Sequence, residues 1–396
     1  MATRRAVFIV AAKRTPFGTF GGKLKNVNST DLAAHASKAA LEAGNVAPET
    51  VDSVVFGNVI QSSTHAPFIA RHVGLMCGIP QTARALTVNR LCGSGFQAIV
   101  SGYHEICLSE AEIVLTGGSE NMSLCPFSNY TARFGTKLGV GIELEDTLWA
   151  GLKDSYVNLP MGVTAENLAE QYDITREQCD RYAHLTQSRW ARANEEGRFN
   201  AEIAPVTLKG KRGDDVMSTD EHPKPSTTVE GLAKLPTVFK KGGTVTAGNA
   251  SGISDGAGAL ILASEEAVKK HNLSPLARLV SHYVAGVDPK IMGIGPVPAI
   301  KGALSKAGLY LSDMKLIEVN EAFAPQYLAV EKELGLKRET TNTNGGAIAL
   351  GHPVGASGAR ITGHLVHELR RVNGQYAVGS ACIGGGQGIA VVIERV

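Results

Sequence analysis

The chain has 396 residues, well beyond a common single domain of roughly 100 to 150, so one simple core is excluded in favour of two or three packed units. Its 39 Lys and Arg against 37 Asp and Glu leave a net charge of +2, which supplies no basic field for nucleic acid. No apolar run reaches the roughly 18 residues of a membrane-spanning helix, and 45 glycines, about 11% against a usual share of roughly 7%, recur without a period.

The first 18 residues contain Arg4, Arg5, Lys13 and Arg14 and no acid, a composition like that of a transit peptide. Residues 6–12 also read as a buried first strand, so the expectation is an import signal that is kept; a cytosolic protein with a basic start is the alternative. Runs rich in Val, Ile and Ala at 7–12, 53–56, 112–116, 259–263, 315–319 and 389–393 lack strict alternation, which predicts strands covered on both faces. Apolar spacings of three and four predict helices over 32–43, 96–108, 165–172, 300–307 and 361–371. The class is α/β.

Residues 41–59 repeat in character at 304–323: a helix end, an Ala-Gly stop, a polar loop and a strand. Ser94-Gly95 and Ser357-Gly358 likewise each open a helix pattern that leads to a strand. A duplicated domain follows, with 1–270 and 271–396 as its two copies. Between Gly118 and about Gly248 the chain turns richer in Pro, Lys, Asp and Thr, which predicts an inserted loop domain over 119–248 and a solvated charge run at 209–228.

Six cysteines without a CxxC pair argue against a disulfide framework or zinc site. Cys92 stands out, in a Gly-rich turn directly before an amphipathic helix, where free N–H groups lower a thiol pKa. Gly93 and Gly95 are expected to let a substrate approach the backbone, whereas Cys77, Cys107, Cys125 and Cys179 read as core filler. His352 sits between Gly351 and Pro353, held outside any regular helix, where an imidazole can keep one tautomer and polarise a thiol. Cys382 ends a strand and precedes glycines whose bare N–H groups can hold an oxyanion. A dinucleotide cradle is rejected there, since no Lys-Ser/Thr and no ribose acid follow. In 318–324, Asn320 can orient a water or oxyanion, and Glu321 is an acid/base or, at least equally, a structural carboxylate.

RLCGSGFQAI, GNASGISDGAGA, MGIGPVPAI, VNEAFAPQ, NGGAIALGHPVGASGAR and CIGGGQG, in this order and spacing, resemble the thiolases almost end to end. The resemblance implies two similar α/β domains in α-β-α-β-α layers with an inserted loop domain. It also implies thiolytic cleavage of a 3-ketoacyl-CoA by CoA to acetyl-CoA and a shortened acyl-CoA, with CoA as co-substrate and neither a permanently bound cofactor nor a metal. By the same resemblance Cys92 is the nucleophile activated by His352, and Cys382 is the acid/base. One oxyanion site combines His352 with a water held by Asn320; the other consists of the N–H groups of Cys92 and Gly384, where a side chain at 384 would block the N–H. Ser251 matches the family's pantetheine contact. Lys224 and Thr227 fall where the nucleotide binds, lysine standing at 224 in place of an arginine and so losing bidentate phosphate geometry. Met292 lines the acyl site or simply packs the core. Pro160 stands where short-chain biosynthetic relatives carry histidine, which leans toward the degradative branch of fatty-acid β-oxidation.

A homotetramer, built as a dimer of dimers with 125–148 at subunit contacts, and a place in the mitochondrial matrix, or alternatively the cytoplasm, are implied as well; an integral membrane position is not. The competing readings are an acetoacetyl-CoA-forming acetyltransferase, an acyl-CoA hydrolase, a decarboxylating ketoacyl synthase, which uses two histidines where this chain has His352 and Cys382, and a non-enzymatic acyl-CoA carrier, which needs neither cysteine.

Overall fold

The computed structural model describes residues 5–211 and 213–396; the start of the transit-like segment, 1–4, lies outside them. Nine strands carry the architecture: β1 (Val7–Arg14), β2 (Ser53–Gly57), β3 (Arg84–Val88), β4 (Ile113–Asn121), β5 (Ser254–Ser264), β6 (Ala277–Gly286), β7 (Met314–Val319), β8 (Tyr376–Ile383) and β9 (Gln387–Arg395). Eight helices matter to the site: α1 (Ser29–Ala43), α2 (Ile69–Met76), α3 (Ser94–Cys107), α4 (Met161–Gln171), α5 (Arg176–Glu195), α6 (Pro296–Ala307), α7 (Ala324–Leu334) and α8 (Ser357–Arg371).

The strand order is β1-β5-β4-β2-β3 in the first half and β6-β9-β8-β7 in the second. Among the described residues the two halves are paired into one continuous sheet where Phe8 and Ile9 of β1 meet Arg278 and Ala277 of β6. Corresponding strands occupy corresponding places, with β2 and β4 parallel in one half and β7 and β8 parallel in the other. The repeat read at 41–59 and 304–323 is visible in detail. After α1 and after α6 the chain stops at a glycine, makes one tight turn (Pro48–Thr50 or Leu311–Asp313) and enters β2 or β7.

Five layers result. On the outer face of the first sheet, α1 and α2 pack Leu32 and Ile69 against Val54 and Ile261. On the far face of the second, α6 and α7 pack Ile300 and Tyr327 against Val378 and Val392. Between the sheets lie α3 and α8, with Phe96, Ile99, Ile361 and Leu365 against Leu260 and Ile389. Helix α8 is buried on nearly every residue from Ser357 to Leu369, and its polar members are paired inside, Arg360 with Glu318 and His364 with Glu202. Both central helices start earlier than their apolar spacing predicts, because their first turns are polar or glycine yet fully covered.

Glycine makes that crossing possible. A methyl placed on Gly95 would come within 2.6 Å of the Ala359 backbone nitrogen, and one on Gly358 within 2.1 Å of the Phe96 nitrogen. The expectation that Gly95 admits a substrate is therefore corrected: it admits α8. Gly93 faces Ile383 in the same way.

The excursion between β4 and β5 is more regular than a loop domain. It contains α4 and the 20-residue α5, started by a reciprocal cap in which the Thr175 side chain accepts from the Gln178 N–H. The charge run at 209–228 is largely exposed as expected, except that Asp220 is buried and receives Arg14 at 2.6 Å, while Glu202 takes the same guanidinium at 2.7 Å. A buried arginine with two carboxylates thus ties the insertion to β1.

The helix crossing is open to test. Gly358→Ala forces backbone to move and should lower the unfolding free energy by about 3 kcal/mol in urea titrations. Gly141→Ala, with nothing within 4 Å of the added methyl, should leave it unchanged, and equal effects of the two would contradict the crossing.

Candidate active site

The two central helices begin on the same side of the molecule. Cys92 ends the loop from β3 into α3, and His352 lies in the loop that runs into α8. Leu91, just before the cysteine, is held at φ 46, a left-handed backbone that leucine rarely adopts. The turn is fixed by Asn89, whose Oδ1 accepts from the Leu91 N–H at 2.9 Å and whose Nδ2 donates to the Val59 carbonyl at 3.1 Å. Cys92 is half-buried against Ile60, Met122, Leu148 and Val354.

The electrostatics overturn one expectation. Burial pushes the Cys92 thiol up to about 11, even though the N–H groups of Gly384 and of Cys92 itself lie against the sulfur and favour thiolate. A helix end contributes roughly 1 kcal/mol, less than one pH unit, so desolvation wins. Cys92 is thus held as a thiol near pH 7.

His352 is buried, and burial together with the Arg360 charge pushes its imidazole down to about 3, so it is neutral near pH 7. Ser357 has one hydroxyl proton, which it donates to the Pro353 carbonyl at 3.2 Å. The 2.5 Å contact between Ser357 Oγ and His352 Nδ1 is therefore donated by the imidazole, which leaves Nε2 as the basic nitrogen. Asn320 Nδ2 stands 3.3 Å from that Nε2, and Asn320 Oδ1 is buried without a hydrogen-bond partner. One turn along α8, Arg360 is fixed by a buried ion pair to Glu318.

Cys382 is fully buried beside Met292 and Ala322, with Met161 and Phe323 against them. Its thiol is pushed up further than that of Cys92, by burial first and by the Cys92 charge second. After it, Gly385 and Gly386 take φ 77 and 83, which glycine alone adopts readily, and the chain turns back into β9. A methyl on Gly384 would lie 3.1 Å from Leu91 Cδ1 and 3.3 Å from Met161 Sδ, a tight fit against two flexible side chains.

Glu321 takes the structural alternative. Its carboxylate accepts from Tyr182 at 2.7 Å, Thr186 at 2.9 Å, Asn342 at 2.9 Å and the Ile348 N–H at 3.2 Å, which leaves it no role toward substrate.

The residues expected to meet CoA line a separate depression. A cleft of about 360 Å³ is bounded by Gln187, His222, Lys224, Thr227 and Gly248. The Lys224 side chain is exposed, while its N–H is held by Gln187 at 2.9 Å. Three residues beyond Gly248, Ser251 donates its N–H to Ala322 at 2.9 Å, next to Cys382. Cys92, His352, Asn320, Cys382, Gly384 and Met292 thus form one cluster, with Ser251 at its edge and Lys224 and Thr227 in the cleft. Ser357 and Arg360 were not anticipated; Ser357 was legible only as a helix-opening residue.

The thiolase N-terminal domain model matches residues 7–266, and the thiolase C-terminal domain model matches residues 273–395. The mitochondrial 3-ketoacyl-CoA thiolase of Mus musculus is 66% identical over 395 residues, covering 100% of both chains. The crystal structure of human mitochondrial 3-ketoacyl-CoA thiolase superimposes with a TM-score of 0.98 at 65% identity, over 99% of each chain. Its complex with CoA gives 0.97 at 65% identity, over 99% of this chain and 98% of that one.

The imidazole assignment can be checked by titration. His352 should show no protonation between pH 5 and 8 in histidine-resolved NMR spectra, and a midpoint near 6.5 would contradict it. Because its folded pKa lies below the unfolded value of about 6.5, the stability that its neutral form contributes is present above that value and declines from there toward pH 3.

Proposed function

The chain belongs to the thiolase family, and from that premise we propose how its own residues carry out the acyl transfer. The enzyme is an acyltransferase that cleaves a 3-ketoacyl-CoA with CoA. What supports these roles is the approach of Asn320 Nδ2 to His352 Nε2 at 3.3 Å, beside an Asn320 Oδ1 without a partner, with Cys92 packed against Val354 of the same loop.

His352 Nε2 takes the Cys92 thiol proton as the sulfur attacks the 3-keto carbon. The resulting alkoxide falls to the N–H groups of Cys92 and Gly384. The bond between C2 and C3 then breaks, leaving the acyl group on Cys92 and an acetyl-CoA enolate. The enolate oxygen is held by protonated His352 and by a water on Asn320 Oδ1, and Cys382 gives its proton to C2. Incoming CoA returns a proton to the Cys382 thiolate, and its sulfur takes the acyl group from Cys92. Cys92 leaves as thiolate and recovers its proton from His352. The sum is 3-ketoacyl-CoA plus CoA to acetyl-CoA plus a shortened acyl-CoA, in the degradative sense of fatty-acid β-oxidation.

CoA would enter by the 360 Å³ cleft, with its phosphates at Lys224 and Thr227, its pantetheine along Ser251 and its acyl end toward Met292. Residues 1–270 and 271–396 are taken as the two domains and 119–248 as the inserted one. A homotetramer accounts for two surfaces: the edge strand β3, where Leu86 is 48% exposed, and the arm bearing Phe134 and Leu138, both fully exposed. The mitochondrial names of the relatives support a mitochondrial location.

Acetyl-CoA release from a 3-ketoacyl-CoA, with and without free CoA, tests the scheme. Cys92→Ala should lose at least about 1,000-fold in kcat. Asn320→Ala should lose about 100-fold, as expected for one oxyanion group. Cys382→Ser should still accept an acyl group from a pre-formed acyl donor while losing carbon–carbon cleavage. Release that does not depend on CoA would mark a hydrolase instead. Sedimentation of the intact enzyme should give a tetramer, and a monomer would remove the subunit proposal.

A further inference from the structure

Glu120 is the penultimate residue of β4 and fully buried, at the end of a strand that is otherwise apolar, small or neutral. Among the described residues no cation pairs with it. Four donors do: Asn58 Nδ2 at 3.2 Å, the Val59 N–H at 3.1 Å, the Ile60 N–H at 3.0 Å and the Gly355 N–H at 3.0 Å. The first three belong to the loop after β2, which in turn holds Asn89 and, through it, the strained turn before Cys92. The fourth belongs to the loop that carries His352 into α8.

We propose that Glu120 is a positioning residue of the acyl-transfer reaction: its single buried carboxylate ties the nucleophile's loop, from the first half, to the base's loop, from the second. The proposal rests on Cys92 and His352 being that nucleophile and base. Oε2 alone joins the two loops, and Oε1 fixes the first of them. Oε2 takes Val59 and Gly355 together, and Oε1 takes Ile60 and Asn58, so no oxygen can be replaced by an N–H without setting two donors against each other. Space adds to the constraint, because a methyl on Gly355 would sit 2.8 Å from Oε2 and 2.7 Å from the Ser119 carbonyl.

The carboxylate also acts at a distance. Its charge raises the Cys92 thiol from one side and the Cys125 thiol from another, and Asp255 on β5 presses on Glu120 itself. Facing Cys92 from the remaining elements are the Cys382 thiol on β8 and the backbone N–H of Gly384. Burial lifts Glu120 to about 8, still below the about 11 of Cys92, so Glu120 is charged when the thiol titrates. Removing that charge must make Cys92 easier to ionise. A side chain that merely held the fold would lower stability without a selective loss of kcat at unchanged KM.

Two substitutions separate geometry from charge. Glu120→Gln, checked for wild-type circular dichroism, should lose about tenfold or more in kcat with KM for the 3-ketoacyl-CoA within about threefold. In the same variant the pH midpoint of Cys92 alkylation by iodoacetamide, followed on the Cys92 peptide by mass spectrometry, should fall by about half a pH unit or more. Glu120→Asp keeps the charge and shortens the reach, so its midpoint should stay at the wild-type value while kcat falls about tenfold. If Glu120→Gln does not fold, Glu120→Asp carries the test alone. A wild-type kcat in either folded variant, or an unmoved midpoint in Glu120→Gln, overturns the proposal. Cys92→Ala run in parallel keeps the two failures apart: an active Cys92→Ala enzyme overturns the nucleophile assignment, whereas an inactive one beside fully active Glu120 variants overturns only the role of Glu120.

Discussion

The close passage of α3 against α8 is the constraint from which the rest of the molecule follows. Each helix belongs to one half, each is preceded by the loop that carries a reactive residue, and a pair of glycines lets the two N-terminal turns meet backbone to backbone. Add a methyl to either and the helices separate, and with them Cys92 and His352. The duplicated topology thus does more than double the core. It brings two equivalent loops to one place, and the different residues in those loops turn a symmetric scaffold into an asymmetric site.

Burial then sets the protonation states. Two thiols and an imidazole are all pushed by burial toward their neutral forms, the thiols up and the imidazole down. The Arg360 charge works in the same direction on His352 and is itself kept in place by Glu318. A helix N-terminus cannot reverse a desolvation of this size. Reactivity therefore comes from proton transfer within the site when the substrate arrives, and not from a thiolate waiting in it.

Much of this was legible in the sequence where a local signal existed. Cys92 and His352 sit in turns that no regular element absorbs, Cys382 closes a strand just before a glycine run, and the doubly covered strands read as continuous apolar runs. The repeat of helix, glycine, polar turn and strand showed the duplication. What stayed hidden depends on residues far apart in the chain. The meeting of Arg14 with Glu202 and Asp220 spans the first strand and the insertion. Strand β3 faces solvent at an edge, so its side chains carry no burial pattern. The glycine surplus was read as backbone bared to a substrate, whereas Gly93, Gly95, Gly355 and Gly358 are bare because other protein atoms stand where a side chain would go. The signal for Glu120 was present, a lone carboxylate closing a buried strand, but its partners are loops 60 residues before it and 235 after it.

The two cysteines divide their work by environment. Cys92 has two N–H groups against its sulfur, from Gly384 and from its own backbone, while Cys382 has only its own. The Cys92 thiolate is accordingly the less unfavourable of the two, which suits a group that must both attack and depart. A thiolate at Cys382 is harder to form and more basic once formed, which suits a group that must take a proton from CoA. Because the charge on Cys92 raises the Cys382 thiol, the two do not ionise together. In the proposed cycle Cys382 gives up its proton only after C–C cleavage has left Cys92 as a neutral thioester. Acylation keeps the first sulfur uncharged while the second ionises. In the proposed cycle the two neighbouring sulfurs are never charged together, in keeping with the repulsion between them.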